Sequence, residues 1–138
     1  MPADGNKQAV FLLVGAVLAA SCATTTNYRL TPSSAVRGTR GTVEVSAGDN
    51  EDNRLSIQVD DLAGPSQLTP AASAYVVWVA PTDGAAAQNV GSLQIDGHSG
   101  SLSTTTPLND FIVSITPEME AQAIAPSGPQ LLSVTVQR

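Results

Sequence analysis

The chain holds one cysteine, one histidine and one tryptophan, and aromatic residues fill only 4% of its 138 positions. A single cysteine cannot close an internal disulfide, and one histidine beside one cysteine cannot furnish a zinc or copper ligand set. Lysine and arginine together number six against twelve acidic residues, a formal net charge of −6. Binding to phosphate backbones needs a basic footprint, so nucleic acid is excluded as a main partner. No run reaches the roughly 20 apolar residues of a membrane-spanning helix, and no window repeats at the helical period of about 3.6. The length leaves room for one domain, at roughly 100 to 200 residues each. What is plentiful is apolar residues, at 42%, with eleven glycines and nine prolines. That mixture describes a β-rich, turn-rich globular chain and argues against global disorder.

The longest apolar run extends from Ala9 to Ala20 and follows Lys7. An N-terminal apolar run of about 7 to 15 residues after a basic residue matches a secretory signal. It leads through Leu18-Ala19-Ala20-Ser21 into Cys22. This approach resembles the bacterial lipobox, in which a signal peptidase cuts before the cysteine and its sulfur carries a diacylglyceryl group. Leu18 stands one place further from the cysteine than in the commonest pattern, and an ordinary signal peptide or a buried helix is the competing reading. The resemblance implies that residues 1–21 are removed as a lipoprotein signal peptide and that Cys22 is acylated. The protein is then expected to be exported and lipid-anchored to the bacterial cell envelope, on its periplasmic or outer-surface side, with membrane lipid as its first partner. Acyl chains contribute about 0.8 kcal/mol per buried methylene, so two or three hold far better than one. After Cys22 five basic and eleven acidic residues remain, again −6, so the acidity belongs to the folded part. Residues 22–41 read as a lipid-anchored polar tether in which Tyr28 and Leu30 alternate as a short first strand would.

From Thr42 onward apolar residues recur at period two between turn signals, the pattern of half-buried strands. The runs cover 42–47, 54–60, 74–80, 89–96, a weak one near 101–105, 111–116 and 131–137. Gly48-Asp49-Asn50, Pro81-Thr82-Asp83-Gly84, Asp96-Gly97-His98 and Pro126-Ser127-Gly128-Pro129 supply turn chemistry. About seven short strands at such spacings predict an all-β fold, an antiparallel immunoglobulin-like β-sandwich over 42–138. Tyr75 to Val79 is apolar on both faces and reads as a strand covered on both sides, with Trp78 a core anchor whose indole N–H needs a partner.

Residues that could carry chemistry fall short of a catalytic set. Gly97-His98-Ser99-Gly100-Ser101 nearly spells a nucleophile elbow, but its last position fails and the chain's one histidine is the neighbour of the supposed nucleophile. Asp49, Glu51 and Asn53 alternate like the first ligands of a calcium loop, with Asp60 eleven residues after Asp49, yet Arg54 stands where the loop needs glycine. Asp60 and Asp61 are adjacent strand residues and should point to opposite faces. Glu118 and Glu120 follow Pro117 and read as solvated loop charges. No metal, cofactor or catalytic residue is expected, and the chain is read as not an enzyme.

A series of short motifs in the second half carries a further likeness. Tyr75-Val76-Val77-Trp78-Val79, Asn89-Val90-Gly91-Ser92-Leu93, Leu102 to Leu108 with Asp110-Phe111, Ile115-Thr116-Pro117-Glu118 and Pro126-Ser127-Gly128-Pro129 occur in order. This pattern, over 75–138, resembles the extracytoplasmic domain of the anti-sigma-K factor family. The resemblance implies a β-sandwich. In that family a cytoplasmic segment holds the sigma factor and a transmembrane helix joins it to the outer domain, whereas here a lipobox precedes the domain. Two functions are therefore expected. The first is a non-enzymatic, lipid-anchored binding or sensing module for an envelope protein or glycan. The second is a regulatory relative of anti-sigma-K factors, acting in trans on a membrane-spanning partner.

Overall fold

The computed structural model describes residues 24–138, so Cys22 and the signal peptide expected over residues 1–21 lie outside the described residues. Among the described residues nine strands form: β1 (Thr25–Pro32), β2 (Arg40–Ala47), β3 (Asn53–Asp60), β4 (Ala74–Pro81), β5 (Gln88–Ser92), β6 (Gln94–Asp96), β7 (Ser99–Thr106), β8 (Asp110–Glu118) and β9 (Leu132–Gln137). Every pairing between them is antiparallel, and the order is β5-β4-β8-β9-β1-β2-β3-β7-β6. No helix among the described residues is long and apolar enough to cross a membrane.

The fold is an all-β sandwich of two halves. β2, β3, β7 and β6 follow the immunoglobulin order ABED, and β4, β8 and β9 follow CFG, with β5 added outside β4. β1 joins the halves, because Thr25 to Leu30 pair with β2 while Thr31 and Pro32 pair with β9. On the opposite side β5 and β7 lie side by side, and a Cβ on Gly91 would stand 3.1 Å from the Leu102 side chain. The sheet is thus almost closed into a barrel.

The period-two pattern is what fills the interior. Val43, Val45, Leu55, Ile57 and Val59 from one half face Tyr75, Val77, Val79, Phe111, Val113 and Ile115 from the other, all buried. Each such aliphatic side chain contributes about 1.5–3 kcal/mol relative to exposure. With no disulfide available, this packing holds the two halves together.

Three departures from the sequence expectations have physical causes. The segment expected as a tether contains β1, eight residues long, and Leu30 is buried in the core; mostly polar residues suffice because only one face of β1 meets the interior. The single run expected over 89–96 is two strands on different halves. Leu93, between them, turns inward and its N–H donates to the Tyr75 carbonyl while the chain changes sheet. β8 continues through Pro117 to Glu118, where a proline would ordinarily stop a strand.

Candidate functional site

Tyr75, Val77 and Val79 face the sandwich core, so Val76 and Trp78 face out of it, yet both are fully buried. Their cover is the segment 119–131 between β8 and β9, which crosses this outer face as a strap. Two polar clamps hold it. At one end Asn89 Nδ2 donates to the carbonyls of Ala121 and Ala123, both at 2.9 Å, while its Oδ1 accepts from the Gly91 N–H at 2.9 Å. Gly91 has φ +133°, at a bulge where β5 shifts register against Val77 and Trp78. Only glycine takes that backbone without strain.

The second clamp is Glu118, 2% exposed. Its carboxylate accepts from the Thr116 hydroxyl at 2.6 Å, the Ser127 hydroxyl at 2.5 Å, the Ser127 N–H at 3.0 Å and the Gly128 N–H at 3.2 Å. Thr116 Oγ1 in turn accepts from the Trp78 indole N–H at 2.8 Å. One chain of bonds therefore runs from indole to hydroxyl to carboxylate to strap. Burial alone would push the Glu118 carboxyl up; the hydrogen bonds from Ser127, Thr116 and Gly128 outweigh it and hold the carboxyl below its ordinary value. A Cβ on Gly128 would collide with the Pro117 carbonyl oxygen, so the strap lies backbone against backbone there.

Beside the strap, at the end of the sandwich remote from Thr25, lies a groove of about 490 Å³ whose lining includes Val36, Leu68, Pro70, Pro117, Met119 and Leu131. Met119 is exposed on its rim. A second concavity, of about 500 Å³, lies on the outer face of the other half, among Arg29, Arg37, Arg40, Gln58 and Asp60.

The residues singled out from sequence sit as follows. Gly97 and His98 form a two-residue hairpin between β6 and β7, with glycine at φ +63° in first place. The Ser99 hydroxyl donates to Asp60 Oδ1 at 2.9 Å, so serine and aspartate meet across the sheet while His98 is exposed. Asp49, Asn50 and Glu51 make an exposed turn between β2 and β3, whereas Asn53 is buried and donates to the Leu108 carbonyl at 2.7 Å. Among the described residues no group of three His, Cys, Asp or Glu side chains is placed to hold a metal. Asp61 pairs with Arg40 at 2.9 Å, both exposed.

Glu118 is the correction among these. Read as a solvated loop charge, it is instead a buried strand residue and the centre of the clamp. Pro117 concealed it by marking an apparent strand end. The usable signal was the alternation of Phe111, Val113 and Ile115, which carried two residues further leaves Glu118 on the same outer face as Thr116. Asn89, Thr116, Glu118, Ser127 and Gly128 converge on this one face. Comparison with protein-family models, curated proteins and solved structures found no match to this chain.

Proposed function

We propose that this protein is a non-enzymatic envelope lipoprotein, a β-sandwich held on the membrane through acylated Cys22 and binding another envelope component. The observation that carries the reading is the place where the fold begins. β1 starts at Thr25, three residues after Cys22, and three residues reach about 10 Å at full extension. Thr25 pairs with Ser46 at the end that also holds the β2–β3 turn and the Arg138 N–H bonded to Asp110. An acyl group on Cys22 holds that end close to the bilayer and presents the opposite end, with its groove, outward. The Ser99 hydroxyl donates to Asp60 and not to a histidine, and His98 is exposed on its hairpin, which supports binding over catalysis.

A second reading, regulation in trans as a relative of anti-sigma-K factors, is favoured by the convergence of the motif residues on the strap. Labelling with palmitate tests the anchor: the wild type takes up label and partitions with membranes, and Cys22→Ala does neither. Label on neither protein refutes the anchored reading. Cross-linking in intact cells separates the two functions. Recovery of a membrane-spanning anti-sigma protein supports regulation, and recovery of other envelope components supports general binding.

A further inference from the structure

The chain carries five arginines and, after Cys22, no lysine. Three of the five, Arg29, Arg37 and Arg40, line one concavity of about 500 Å³ on the outer face of β1 and β2. The Asp60 carboxylate also lines this cleft but accepts from Ser99 and Gln58, so three arginines stand against one engaged carboxylate in a chain of net charge −6. Arg40 is paired with Asp61, whereas Arg29 and Arg37 have no ion-pair partner among the described residues. All three are exposed.

We propose that this cleft docks an extended acidic segment of a partner protein, with carboxylates on alternate residues. Register supports the spacing. Arg29 lies opposite Thr42, and Arg40 is two residues from Thr42 on the same strand, so Arg29 and Arg40 are diagonal neighbours on one face. Such neighbours stand about 7–8 Å apart, close to the roughly 6.6–6.8 Å between alternate side chains of an extended chain. Guanidinium forks suit carboxylates, and each can take two oxygens. No aromatic side chain lines the cleft, so the stacking surface that a sugar ring uses is missing there. Lipid headgroups of the anchoring membrane are disfavoured by position, because the cleft lies toward the end of β1 remote from Thr25. The acidic remainder of the surface repels the same ligand, so the field selects this face as the point of approach.

The proposal deepens the binding-module reading by naming the partner's chemistry, and its test needs neither the anchor nor the native partner. A fluorescein-labelled twelve-residue peptide of alternating glutamate and serine is titrated with the full chain in a non-ionic detergent, followed by anisotropy. Saturable binding is expected, weakened at least tenfold in the Arg29→Ala/Arg37→Ala variant and by 0.5 M NaCl, and changed less than twofold in Arg54→Ala. Arg54 lies on the same sheet face, nearer the Thr25 end, and controls for general charge. The glutamine-for-glutamate peptide should not bind. Unchanged Trp78 fluorescence shows that the variants are folded. The proposal is overturned if the glutamate peptide does not saturate, if Arg54→Ala weakens it as much as the double variant, or if polyphosphate or phosphatidylglycerol vesicles bind the cleft more tightly than the peptide. Any of these leaves the envelope-binding reading standing, since that reading is tested by labelling and cross-linking.

Discussion

Removing the Glu118 carboxylate should release the strap from the sandwich. The carboxylate, itself buried, satisfies two backbone N–H groups and two hydroxyls. In Glu118→Ala two hydroxyls and the Ser127 and Gly128 N–H groups lose a charged acceptor, a bond worth about 1.5–3 kcal/mol each; Ser127 is exposed and Gly128 half-buried, so water replaces part of the loss. The losses are not additive, because an untied strap can turn toward solvent, so the expected destabilisation is about 3–4 kcal/mol. For a domain of this size that is a fall of roughly 12–16 °C in melting temperature. Glu118→Gln keeps the volume and one acceptor oxygen but loses the charge and turns the other acceptor into an NH2 donor, to which the Ser127 hydroxyl can rotate as acceptor, so about 1–2 kcal/mol is expected. Urea unfolding followed by Trp78 fluorescence reads both, since Trp78 is the chain's one tryptophan and is itself bonded to Thr116.

The pH dependence gives the same experiment a second axis. The folded carboxyl titrates below the free-glutamate value of about 4.3, so it binds fewer protons in the folded state than in the unfolded one. Its contribution is therefore complete above that unfolded value and is lost as pH falls through the lower folded value. The gap between wild type and Glu118→Gln should be full at pH 7 and close at strongly acidic pH, where both side chains are neutral. A Glu118→Ala cost under about 1 kcal/mol, or a gap to Glu118→Gln that ignores pH, would refute the clamp.

Other substitutions probe the same architecture. Gly128→Ala forces a Cβ into the Pro117 carbonyl oxygen and should cost about 2–3 kcal/mol by urea unfolding, more than an exposed glycine such as Gly38, which has open space around it. Asn89→Ala removes three hydrogen bonds at the other end of the strap; a loss of about 2 kcal/mol is expected, with faster amide exchange confined to 119–125. Arg40→Ala, by contrast, breaks an ion pair whose side chains are 79% and 59% exposed and should change stability by less than about 1 kcal/mol in thermal melts. Millimolar calcium should leave the melting temperature within about 1 °C, because Asn53 donates to the Leu108 carbonyl and is buried away from the Asp49–Glu51 turn.

Much of the architecture was legible in the chain itself. Alternation of small aliphatic residues dictates which face of each strand is buried, and that alone specified an all-β sandwich, the interior positions of β2, β3 and β9, and a β4 covered on both faces. Charge and composition, being properties of the whole chain, argue against nucleic acid as a main partner without any structure. Local pattern could not show which surface covers the outer face of β4, because the strap has no periodicity and is held by two side chains, Asn89 and Glu118, from distant strands. It could not show that Glu118 is buried, since proline at 117 mimics a strand end, nor that the run at 89–96 changes sheet at Leu93. The clustering of Arg29, Arg37 and Arg40 likewise depends on strand register and on a loop folding over the sheet. Those features arise from which strands meet in space, and only the tertiary structure decides that.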